Sequence, residues 1–183
     1  MATQATAANL VAALRRTEGK AEIVDGEIVL MSPTGYGHSR AAAALYRSLW
    51  EHERRTRKGR AFTDNTGILV DLPRRKSFSP DAAFHEGPPT GAKFLEGAPL
   101  LAAEVRSEED YGPTAERRMS HKRVDYFAAG TKAILDVDVL REGWIKVYRS
   151  SAPDAPSVFY RGDIATVEPE MPGWTFPVDD LFD

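Results

Sequence analysis

Leu100-Leu101-Ala102-Ala103-Glu104-Val105-Arg106-Ser107 is an apolar run of buried-strand type, broken by one carboxylate at Glu104. Downstream, residues 108–113 supply polar turn chemistry, and Pro113 suits the first turn of a helix reaching about Ala129 and stopped by Gly130. Two strands follow, in Lys132-Ala133-Ile134-Leu135-Asp136-Val137-Asp138-Val139 and in Trp144-Ile145-Lys146-Val147-Tyr148-Arg149. Upstream lies Phe78-Ser79-Pro80-Asp81-Ala82-Ala83-Phe84. Read as a strand, its period-two alternation sets Phe78, Pro80, Ala82 and Phe84 against Ser79, Asp81 and Ala83.

Further out, Asp25-Gly26 joins two β-prone runs at about 21–24 and 27–31, a strong hairpin signal. Residues 32–37 then offer turn and N-cap chemistry before a long helix to about Arg57. His38, Leu45, Leu49 and His52 share one stripe of that helix, which turns His38 inward. The β-branched residues of 62–72 predict a strand or hairpin, and short strands are expected near 158–160 and 164–167. Trp174, Phe176 and Phe182 should dock the tail. With an N-terminal helix within residues 1–19, the pattern predicts a single α/β or α+β domain over residues 1–183, a mixed sheet flanked by helices.

The chain has 183 residues, enough to bury about 70% of the surface of its unfolded state without a disulfide or zinc staple. It has no cysteine, which excludes thiolate nucleophiles, zinc ribbons and iron–sulfur clusters and makes a cytoplasmic location the expectation. No apolar run approaches the ~20 residues of a spanning helix, so no membrane is expected. With 24 Lys+Arg against 27 Asp+Glu, attraction to a polyanion must come from local patches, of which Arg54 to Arg60 and Arg74-Arg75-Lys76 are the candidates.

An unpaired carboxylate inside an apolar strand costs several kcal/mol, so Glu104 needs compensation. On the following helix Ala115, Met119, Lys122, Tyr126 and Ala129 fall on one stripe, which brings the Lys122 ammonium to the face packed on the sheet. Asp81 and Glu104 on neighbouring strands suit a hard divalent cation, magnesium or manganese. Such an ion polarises a phosphodiester while a lysine steadies charge on the phosphate oxygens. Taken singly, Asp81 reads as a strand-end residue, Lys122 as a snorkelling stem and His38 as a hydrogen-bonded buried histidine. His38 could also serve as a phosphate donor or contact a metal-bound water. Asp136 and Asp138 share a strand face and read as a polar strand end.

Pro80-Asp81, Glu104-Val105 with Ser107, and Lys122 with Tyr126 and Gly130 resemble the Uma-two family of endonucleases within the restriction-endonuclease-like superfamily. The likeness extends from Ala21 through the Glu22…Gly26-Glu27 hairpin, Met31-Ser32-Pro33 and His38 to the tail Pro172-Gly173-Trp174-Thr175-Phe176-Pro177. The superfamily's shared motif is Pro-Asp, a spacer, then Asp/Glu-x-Lys. The resemblance implies a mixed sheet flanked by helices, with Asp81, Glu104 and the Val105 carbonyl as Mg2+ ligands, Glu22 as an outer ligand, and the catalytic lysine moved to the helix as Lys122. It implies DNA as the partner, and a homodimer where both strands are cut.

Three positions depart from the family pattern: Arg106 stands where Leu is usual, Ile134-Leu135 replaces an aromatic-Trp pair, and Asp136 is an added carboxylate. Alternation puts Arg106 on the same face as Glu104, where the superfamily's lysine normally sits. It could share the cationic role with Lys122. Alternatively it neutralises the acidic pair and leaves a catalytically inactive interaction module on the same fold.

Overall fold

A computed structural model describes residues 6–182 of the chain. Helix α1 (Ala7–Leu14) opens at Thr6, whose hydroxyl accepts the Asn9 N–H at 3.3 Å; residues 1–5 of the expected N-terminal helix lie outside the described region. Strands β1 (Ala21–Val24) and β2 (Glu27–Leu30) form the antiparallel hairpin, turning through Asp25 (φ 52°) and Gly26 (φ 80°). Two positive φ angles are what a twist-matched two-residue turn demands, which is why Asp-Gly sits there. Helix α2 (Tyr36–Thr56) follows.

The chain then continues through β3 (Arg60–Thr63), β4 (Ile68–Leu69), β5 (Ser77–Phe78), β6 (Ala82–His85), β7 (Leu95–Glu96) and β8 (Leu101–Val105). Helix α3 (Pro113–Ala129) closes at Gly130 (φ 114°) and returns the chain to β9 (Ala133–Asp138), β10 (Trp144–Arg149) and β11 (Ala152–Tyr160). A short hairpin of β12 (Ile164–Thr166) and β13 (Thr175–Pro177) ends in a 3-10 turn at Val178–Leu181.

Six strands form the central sheet in the order β11-β10-β9-β8-β6-β3, and β8 and β9 are its parallel pair. That pair is joined by α3, since a parallel connection must cross from one end of the sheet to the other. Helix α2 buries Ala41, Leu45 and Leu49 against Ala82, Phe84, Leu101, Ala103 and Leu135. Tyr126 of α3 packs on the opposite face with Ala83, Ala102 and Ile134. Because side chains alternate along each strand, the two clusters take alternate residues of β6 and β8. Trp174 and Phe176 dock on the α2 side, whereas Phe182 stays 37% exposed, its ring under the Arg161 guanidinium, so it does not anchor the tail.

Alternation does not run unbroken from Phe78 to Phe84. Phe78 shares a cluster with Ala83, not with Ala82 and Phe84, because the chain changes sheets at Pro80. Strand β5 belongs to a small sheet with β4 and β7, while β6 belongs to the central sheet. Proline has no N–H for a ladder and suits this break. Strands β3 and β4 likewise fall in different sheets and form no hairpin with each other. The outermost strand β11 carries Pro153 and Pro156, and at the other margin the Ala61 N–H of β3 donates to Glu53 Oε2 at 2.8 Å. No helix among the described residues is long and apolar enough to cross a membrane.

Candidate active site

Asp81 lies in the gap between Pro80 and β6, and its own N–H donates to the Ala103 carbonyl of β8 at 3.0 Å. That bond carries the register of β6 and β8 one residue further and sets Asp81 beside Glu104. Its buried carboxylate accepts the Val105 N–H at 2.7 Å, and His38 Nε2 from the first turn of α2 lies 3.2 Å from the same oxygen. The other oxygen pairs with the Lys20 ammonium, which also reaches Asp64 Oδ1 at 2.6 Å. Burial works against the Asp81 anion, but the His38 hydrogen bond and the Lys20 charge overcome it and hold the carboxyl well below the usual range. For His38, burial alone would lower the pKa; the Asp81 hydrogen bond and charge reverse this and raise it.

Glu104 projects from β8 toward α3. Lys122 Nζ sits 2.8 Å from Glu104 Oε1, and the Tyr126 hydroxyl donates to the same oxygen at 2.6 Å. Lys122 also lies 2.9 Å from Glu22 Oε1 of β1, so one ammonium bridges two carboxylates from two different strands. The remaining capacity of Glu22 is taken by the Ser79 N–H at 2.9 Å and by the buried Arg75, which itself reaches Asp125 at 2.8 Å. Burial pushes the Glu104 pKa up; Lys122 opposes this, yet the nearby Asp81 and Glu22 charges add to it and the net shift is upward. The Tyr126 ring is stacked on Phe78 at 3.8 Å between centroids, which fixes its hydroxyl over Glu104.

Arg106 lies one residue past the end of β8, and its N–H donates to the Val137 carbonyl at 2.8 Å. Its guanidinium grips Asp136 through two 2.8 Å bonds and also binds Glu116 of α3. Arg106 therefore does not pair with Glu104 as the neutralising alternative requires. Asp136 takes it instead. Asp136 and Asp138 are both 1% exposed, so the expected polar strand end is a buried one. Asp138 accepts the Tyr111 hydroxyl and the N–H groups of Leu140, Arg141 and Glu142.

The two basic patches lie away from these groups or are spent. Arg74 pairs with Asp25, Arg75 with Glu22 and Lys76 with Asp71. The stretch from Arg54 to Arg60 begins in the last turn of α2, roughly 24 Å of helix from His38 at about 1.5 Å per residue. A cleft of about 710 Å³ holds Lys20, His38, Asp81, Glu104, Lys122 and Tyr126 among its lining residues, with Tyr36 and Leu140 also along it.

Asp81, Glu104 and Lys122 thus converge in one cleft with His38, and Glu22 is tied to them through Lys122. Asp81 and Glu104 offer hard oxygen donors, although among the described residues no three His, Asp or Glu side chains form a ready cluster. Sequence reading missed Lys20 and the buried Arg75. Alternation along Lys20-Ala21-Glu22 puts Lys20 on the face of Glu22, a signal that could have found the first. Arg75 sat within an apparent solvent-facing run and gave none.

The mixed sheet thus lies between two helices, with paired acids at one end of its strands and a lysine reaching them. The fold is similar to that of a crystal structure described as "a putative nuclease belonging to DUF820 from Anabaena variabilis ATCC 29413", with TM-score 0.75, 20% identity and 97% of each chain covered. Residues 8–179 match the family described as "Uma2: Putative restriction endonuclease", and the chain belongs to that family. No curated protein matches the sequence.

Proposed function

We propose that the chain is a divalent-metal-dependent endonuclease that hydrolyses DNA phosphodiester bonds. The observation that carries this reading is the meeting of Asp81, Glu104 and Lys122 in one cleft from three separate stretches of chain. Mg2+ or Mn2+ suits the donor set, because Asp81 and Glu104 are hard oxygen ligands. Asp81 and Glu104 would hold the ion, with the Val105 carbonyl as a third donor. Glu22, already occupied by Lys122, Ser79 and Arg75, seats the lysine in place of acting as an outer ligand. When bound, the ion polarises the phosphodiester and lowers the pKa of a coordinated water.

The chain's own groups divide the remaining work. Lys122 is held charged by Glu104 and Glu22, which outweigh its burial, so it acts as an electrostatic donor to phosphate oxygens and not as a base. His38 and the Val105 N–H fix the orientation of Asp81, and Tyr126 does the same for Glu104. Arg106 contributes through Asp136 and Glu116 and is a structural cation. One such centre cuts one strand, so cleavage of a duplex is read as the work of a homodimer.

The test is plasmid nicking in Mg2+, in Mn2+ and in chelator, beside Asp81→Ala. Nicking that needs the metal and is lost in the variant supports the reading. Nicking that persists in chelator, or equal metal uptake by Asp81→Ala, overturns it.

A further inference from the structure

Resting on the metal reading above, we propose that Lys20 is a metal-exchange residue: its ammonium closes Asp81 in the metal-free protein and passes wholly to Asp64 when a divalent cation is taken up. The Lys20 side chain is 12% exposed and touches two carboxylates of different standing. Asp81 is 4% exposed and faces Glu104, whereas Asp64 is 36% exposed and lies on the turn after β3, outside the acidic pair. That outer seat is built in advance. Asp64 Oδ1, the oxygen that receives Lys20 at 2.6 Å, also accepts the Asn65 N–H at 2.7 Å, and Asn65 holds a left-handed φ of 61° that shapes the turn.

A buried carboxylate without a counter-charge is costly, so Asp81 needs a resident cation whenever no metal is bound. Lys20 supplies it. The same ammonium would repel an arriving divalent ion unless it can retreat, and Asp64 lets it do so while keeping one ion pair. Lys122 has no comparable outer seat, because its second carboxylate, Glu22, is buried and already engaged by Ser79 and Arg75. The two lysines therefore differ in kind: Lys122 stays with the acids, and Lys20 yields one of them.

Calorimetric titration of Mg2+ into the metal-free full chain tests this in wild type, Lys20→Met, Asp64→Asn and the double variant. Lys20→Met should bind about tenfold more tightly, because the competing cation is gone, and Asp64→Asn about fivefold more weakly, because the retreat is lost. The decisive comparison is the double variant, which should bind like Lys20→Met, since Asp64 acts through Lys20 alone. If Asp64→Asn weakens binding equally in both backgrounds, Asp64 acts as a distant charge and the proposal fails. Lys20→Gln, which keeps a donor for Asp81, replaces Lys20→Met should that variant unfold. Uptake by wild type without the opposed shifts overturns the exchange role alone; absence of uptake by wild type overturns the metal centre as well.

Discussion

Glu104 and Asp136 stand opposite each other in the register of the parallel strands β8 and β9, yet they are served by different cations. Asp136 is gripped by Arg106, and Glu104 is left to Lys122 and Tyr126. Asp136 thus draws Arg106 away from Glu104, and each of the two buried charges compensates the other.

Separating that pair should damage the fold and spare the acidic centre of Asp81 and Glu104. Asp136→Ala leaves the buried Arg106 with the half-exposed Glu116 and the Asp110 carbonyl, and loss of one partner of a buried ion pair costs about 3–5 kcal/mol. Urea denaturation should show that loss, while Mg2+ affinity in the folded variant stays within about twofold of wild type. A fall in affinity far beyond that would bring Arg106 back into the centre.

Lys122→Met removes the ammonium that Glu22 and Glu104 share, leaving two carboxylates in place. The metal-free variant should lose about 3 kcal/mol or more. Mg2+ should restore part of that stability, since an ion bound only by the folded state shifts the equilibrium toward it. Thermal melts with Mg2+ and with chelator measure both effects. Identical melting in the two conditions would count against a cation beside Glu104.

Tyr126→Phe keeps the ring stacked on Phe78 and deletes one hydrogen bond to Glu104. Stability should fall by about 1 kcal/mol, the usual net worth of such a bond. Nicking should slow far more than stability changes, because Glu104 loses the group that aims it. Unchanged nicking would assign the hydroxyl to folding alone.

Asp138 offers a test by pH. Burial opposes its charge, but the Tyr111 hydroxyl and the N–H groups of Glu142, Leu140 and Arg141 outweigh it and lower its pKa from the ordinary 3.8. A carboxyl with a depressed folded-state pKa gives stability that is present above the unfolded value and lost as pH falls through the folded one. Asp138→Asn should therefore cost about 1–3 kcal/mol near neutral pH. The gap to wild type should narrow as the pH is taken below about 3.8 in denaturation curves. A gap independent of pH would remove the charge from the account.

Much of this was legible in the sequence because the signals were local. The Asp25-Gly26 turn, the Pro113 start and Gly130 stop of α3, and the inward stripe of His38, Leu45, Leu49 and His52 each depend on chain geometry within a few residues. The convergence of Asp81, Glu104 and Lys122 was legible from burial logic, since an acid in an apolar strand demands a cation. Partner choice was not. Alternation places Arg106 on a face but does not say which of two acids it meets, and that depends on the parallel register of β8 with β9. Arg74 and Arg75 looked like part of a charged surface run because their acids, Asp25, Glu22 and Asp125, come from distant stretches. The sheet change at Pro80 was hidden for a similar reason: a proline permits a break without requiring one.

The two prolines of β11 and the Glu53 carboxylate on the Ala61 N–H have a bearing on how this molecule meets its own copies. An outermost strand with free amide groups invites another chain to zip on, the first step toward fibrils. Here one margin lacks amides at Pro153 and Pro156, and the other has one of its amides already claimed by a side chain. Recruitment of further strands onto the central sheet is disfavoured at both margins, which favours self-association through side chains on the faces of the molecule.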